Sequence, residues 1–153
     1  VQTIADGFAD YDSEHAGLYQ NNAASYVETL TALKEKMHEQ LQTVERKDII
    51  TFHEAFPYFA EEFGLHVAAV IEREPGTEST PEEITHIIDV INETGCMALF
   101  AEPQYSSAAA ETIAAETGAT VYTLDPVVTG ELDKDAYEAA MENNLSTLLE
   151  ALR

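Results

Sequence analysis

The stretch "DIITFHEAFPYFAEEFGL", residues 48–65, decides the reading of the fold. Ile49, Ile50 and Phe52 form an apolar run suited to a buried strand over 48–52. The run stops at His53-Glu54, and helical spacing follows over 54–63 until Gly64. A strand handing over to a helix is half of a βαβ unit, and the handover recurs along the chain. "HVAAVIE" (66–72) leads through "REPGTEST" to a helix over 81–94, and "MALFAE" (97–102) to one running from Ser106 or Ser107 to Thr117. "TVYTLD" (120–125) leads through "PVVTGELDK" to a last helix over about 134–152. The helix over 81–94 is marked at both ends, with Thr80 as N-cap, Pro81 in the first position, Glu83 completing a capping box and Gly95 as the stop. This alternation implies right-handed crossovers. It predicts an α/β fold, a four-stranded parallel sheet flanked by helices on both faces.

Upstream of residue 48 the periodicity is helical only. Ile4, Phe8 and Tyr11 share one face, and Ser13 reads as the N-cap of a long helix. In it Leu18, Tyr19, Tyr26, Leu30, Leu33, Met37 and Leu41 recur every three or four residues. The expected organisation is a helical segment, 1–45, preceding an α/β lobe, 46–153.

Composition narrows the function. The 153 residues are 45% hydrophobic, enough for one folded domain with a sizeable core. Seven Lys+Arg against 29 Asp+Glu give a net charge of −22. That argues against nucleic acid or an anionic membrane as partner, because phosphate contacts come from Lys and Arg. It favours cations, or simply solubility. Cys96 is the single cysteine, so no intrachain disulfide forms. No apolar run approaches the ~18–20 residues of a membrane span. No signal peptide is present, and the opening on Val1 without methionine reads as a processed product or a fragment.

In an open parallel sheet, ligands bind beyond the carboxyl ends of the strands. Those ends read His53-Glu54, Glu72, Glu102 and Asp125. Imidazole with carboxylates and no thiolate is a ligand set for zinc, manganese or iron. Each residue also has a structural explanation. His53 suits a helix start, Glu54 complements a helix dipole in a first turn, and Glu72 opens an acidic turn-rich segment. Glu102-Pro103 and Asp125-Pro126 suit strand stops. By chemistry alone both readings stand.

Other arrangements are weaker. "HEAFP" lacks the second histidine of a zincin motif, and there is no glycine-rich phosphate loop. Glu82 with His86, and His38 among Glu35 and Glu39, read as surface pairs. His15 reads as a first-turn residue and His66 as a strand start. Phe52, Phe56, Tyr58, Phe59 and Phe63 read as core packing.

Several segments, in order, resemble the zinc- and manganese-type solute-binding proteins of bacterial ABC importers: "NNAASYVETLTAL", "ITFHEAFPYFAEEFGL", "TPEEITHIIDVI", "ALFAEPQYS", "GATVYTLDPV" and "YEAAMENNLSTLLEAL". The resemblance covers nearly the whole chain. It implies that His53 and Asp125 are metal ligands, and that Glu102 supports His53 from behind. It implies zinc as the metal, with manganese as the alternative, since histidine at position 53 leans towards zinc. It also implies a membrane ABC permease as partner and an extracytoplasmic place of work, in the periplasm or anchored at the cell surface. The family has two lobes joined by a long helix, and this chain matches the end of that helix plus the C-terminal lobe. The missing N-terminal lobe would supply the other ligands. The rival expectations are a metal-dependent hydrolase using His53, Asp125 and Glu102, and a non-catalytic α/β interaction module without a metal.

Overall fold

The computed structural model describes residues 1–71 and 80–153. They form two compact units, Val1–Glu39 and Gln40–Arg153.

The first unit is helical. Helix α1 (Gln2–Tyr11) is followed by a 3-10 turn (Ser13–His15) and the long helix α2 (Ala16–Leu41), whose last residues belong to the second unit. Ser13 opens the 3-10 turn and does not cap α2. The junction is held by Asp12, which accepts from the Tyr19 hydroxyl (2.9 Å) and meets His15 Nδ1 (2.9 Å). Those two contacts, Tyr19 first, hold the Asp12 carboxyl below its usual range. Ile4, Phe8 and Tyr11 do share a face, but it is an exposed one.

The second unit alternates as the sequence predicts. β1 (Asp48–Thr51), α3 (Pro57–Phe63), β2 (His66–Val70), α4 (Pro81–Thr94), β3 (Ala98–Ala101), α5 (Ala108–Thr117), β4 (Thr120–Thr123) and α6 (Ala136–Ala151) follow one another. All pairings are parallel, in the order β2-β1-β3-β4. The chain steps outward from β1 to β2, then the other way through β3 to β4. Right-handed crossovers therefore put α3 on one face and α4 and α5 on the other, and α4 packs against α5. Ile50, Phe52 and Leu99 join Ile87, Ile91, Ala110 and Ile113 in the core of that second face. Ile49 and Phe100, buried as well, point the opposite way by strand alternation.

The ends of α4 are formed as its sequence reads. Thr80 Oγ1 accepts from the Glu83 amide, the Glu83 carboxylate accepts from the Thr80 amide at 2.7 Å, and Gly95 closes the helix at φ 69°. The start of α3 differs. It begins at Pro57, because the ring has no N–H to give and disfavours helical geometry in the residue before it. Residues 53–56 are a turn, so the expected first-turn role of Glu54 does not hold, and its side chain is exposed. Among the aromatics, Phe52 and Phe56 are buried, whereas Tyr58, in the first turn of α3, is 88% exposed and no part of the core. Cys96 lies buried before β3, and burial pushes its thiol up.

Candidate functional site

The strand order reverses between β1 and β3, which makes their carboxyl ends the switch point where a parallel sheet opens a crevice. His53 follows β1 and Glu102 follows β3. The Phe52 amide donates to the Phe100 carbonyl at 2.9 Å, so the ladder runs on to the residue before the histidine. The Thr51 hydroxyl donates to the His53 carbonyl at 3.1 Å. His53 Nδ1 then lies 2.9 Å from Glu102 Oε1, with both residues 4% exposed.

A local turn builds the glutamate's surroundings. The Tyr105 amide donates to the Glu102 carbonyl at 3.2 Å, making 102–105 a β-turn with Pro103 in the second position, where its fixed φ is favoured. The turn folds the Gln104 amide back to donate to Glu102 Oε2 at 3.0 Å. It also sets the Tyr105 ring against the His53 imidazole, centroids 4.3 Å apart. Both oxygens of Glu102 thus accept. An ionised carboxylate can only accept, so a neutral imidazole bonded to it carries its proton on Nδ1 and has its lone pair on Nε2.

Asp125 lies one strand further on. The Leu124 amide donates to the Ala101 carbonyl at 2.9 Å, which carries the β3–β4 ladder past the last strand residue. The Asp125 backbone is then gripped from α6. Its amide donates to Asn144 Oδ1 at 2.8 Å, and Asn144 Nδ2 donates to its carbonyl at 2.7 Å. Asp125 Oδ1 accepts from the Val127 amide at 2.8 Å, and Val127 stands at φ 58°.

The sheet therefore brings His53 and Glu102 into contact and places Asp125 at the same end, two strand spacings or ~10 Å from His53 along the sheet. Glu72 lies outside the described residues. Among the described residues no group of three or more His, Cys, Asp and Glu side chains is disposed to hold a metal ion. His66 binds Asp48 at the opposite end of the sheet, at 2.7 Å, and Glu82 and His86 are exposed on α4. Sequence reasoning assigned nothing to Asn144, Gln104 or Tyr105. The last two lie in the quoted "AEPQYS", where proline after a strand end was the available signal for a turn.

The family described as "Zinc-uptake complex component A periplasmic" (ZnuA) matches residues 1–151. The chain belongs to this family.

Among relatives of the ZnuA family, the high-affinity zinc uptake system protein ZnuA of Brucella abortus is 33% identical over 97% of this chain and 45% of its own length. The manganese-binding lipoprotein MntA of Halalkalibacterium halodurans is 28% identical over 99% of the chain and 52% of its own. Of solved structures, the laminin-binding protein Lmb of Streptococcus agalactiae superposes with a TM-score of 0.88 at 29% identity, over 98% of this chain and 58% of that one. A Zn(II)-bound variant of Streptococcus pneumoniae AdcAII gives 0.84 at 30%, over 99% and 55%. The chain thus spans about half the length of the ZnuA-family proteins it matches. Among its described residues no helix is long and apolar enough to cross a membrane.

Proposed function

We infer that this chain is the C-terminal lobe of an extracytoplasmic solute-binding protein that captures a divalent transition metal, zinc before manganese, and passes it to a membrane ABC permease. The observation that carries the reading is the His53–Glu102 pair at the β1/β3 switch point. A ligating histidine characteristically gives its second ring nitrogen to a carboxylate, which fixes ring and tautomer and raises the basicity of the ligand nitrogen. His53 Nε2 is the proposed nitrogen donor. Asp125, whose Oδ1 already accepts from Val127, offers Oδ2 as the oxygen donor. Nitrogen and oxygen without sulfur suit zinc and also manganese. The zinc and manganese named for the relatives agree with that chemistry.

Two donors leave a four-coordinate ion half satisfied. The remaining ligands are assigned to the half of the relatives' length that this chain does not span, the N-terminal lobe. The role is capture and release, with no bond made or broken in the cargo, so the protein is not an enzyme. The net charge of −22 raises the local cation concentration without selecting among cations.

The test is a calorimetric zinc titration of this chain beside His53→Ala and Asp125→Ala. One equivalent bound by the parent and lost in both variants is the expected result. Identical isotherms for all three would place any bound zinc on surface carboxylates and overturn the assignment.

A further inference from the structure

The geometry points to Asn144 of α6 as a positioning residue for metal capture, holding the strand-to-loop corner at Asp125 so that one carboxylate oxygen faces the crevice. The inference rests on the reading of Asp125 as a cargo ligand, and adds a residue to the site that touches no metal itself.

Among the described residues β4 is an edge strand, with β3 on one side and no strand on the other. Successive amides of a strand point to alternate sides. The Leu124 amide turns inward to Ala101, so the amide and carbonyl of Asp125 turn outward, away from β3. There Asn144, 3% exposed, takes both groups, its carbonyl oxygen accepting at 2.8 Å and its amide donating at 2.7 Å. A side-chain amide carries the same donor and acceptor as a peptide group, so one asparagine stands in for a neighbouring strand over one residue. Leucine has the size but neither group, and aspartate when ionised has only the acceptor.

The consequence reaches the carboxylate. With its main chain held on both groups, Asp125 keeps only its side-chain torsions. The Val127 amide bond to Oδ1 removes most of that freedom. Val127 has a positive φ of 58°, which a β-branched residue rarely adopts unless its surroundings impose it. The corner 125–127 is thus held at Asp125 by Asn144 and at Val127 by the carboxylate itself. Oδ2 is left at a defined place beyond the end of β4. Without Asn144 the main chain of Asp125 is released, and the oxygen no longer waits where the ion arrives.

The experiment combines zinc calorimetry with amide hydrogen exchange on the parent chain, Asn144→Leu, Asn144→Asp and Asp125→Ala. The expected result for Asn144→Leu is a loss of Val127 amide protection and at least a ~10-fold loss of zinc affinity, with protection of the Leu99 and Phe100 amides in β3 unchanged. Asn144→Asp, which keeps shape and acceptor, is expected to lie between parent and Asn144→Leu, and serves if the leucine variant fails to fold. Full zinc affinity in either Asn144 variant while Asp125→Ala loses it overturns the positioning role and leaves the Asp125 ligand standing. Undiminished zinc binding by Asp125→Ala, or no zinc uptake by the parent, overturns the ligand reading and this inference with it. Loss of β3 protection in both Asn144 variants would make the residue a general structural one and also reject the proposal.

Discussion

At the scale of single residues, the division of labour on the His53 ring is the feature with the clearest chemical consequence. Glu102 takes Nδ1 and is itself held by Gln104, so the imidazole is oriented by the chain alone. Orientation in advance lowers the entropy lost on binding. Glu102→Gln keeps the shape and an oxygen that can accept from Nδ1, but removes the negative charge that strengthens the nitrogen lone pair. On the proposed function it is expected to bind zinc roughly 10–100-fold more weakly than the parent, as outer partners of metal-bound histidines generally do. Competition against a chromophoric chelator measures this, and an unchanged affinity would reduce Glu102 to a packing role. The strand-end pattern marked His53 and Glu102 only as residue types, and it was the family resemblance that implied Glu102 behind His53. Their contact joins residues 49 apart in the chain, and no local pattern encodes it.

At the scale of elements, boundaries follow local rules where a cap or a proline sets them. Helix α4 is bounded by side chains within a few residues of its ends, which is why it reads directly from the sequence. Thr80→Ala removes the acceptor of the Glu83 amide and opens the capping box. It is expected to cost about 1 kcal/mol, seen as a fall in Tm of about 2–4 °C for a chain of this size. A thermal melt followed by circular dichroism reads it, and a change within error would show that tertiary packing alone holds this end. The start of α3 went the other way. Apolar spacing suggested a helix from residue 54, but Pro57 delays it and leaves His53 in a turn, free of helical geometry. Spacing also put Tyr58 with the core, because periodicity within one element does not say which neighbours lie on which side of it.

At the scale of the whole molecule, charge is the dominant fact. Twenty-nine acidic residues against seven basic ones repel one another in the folded state. Raising ionic strength from ~0.01 M to ~0.1 M shortens the screening length from about 30 Å to about 10 Å. Tm is therefore expected to rise by a few degrees over that range, and a flat or falling Tm would show that the acidic groups are too dispersed to strain the fold. The α/β class, the order of strands and helices and the family were all legible in the chain itself, since periodicity, caps and glycine stops act over a few residues. The strand order β2-β1-β3-β4 was decided only in three dimensions. It sets His53 beside Glu102, and the docking of α6 brings Asn144 to Asp125, 19 residues away in the chain. Local sequence specifies which segments are strands and which faces are apolar, but burial is non-directional. Which buried polar groups meet is settled by the one packing that satisfies their hydrogen bonds.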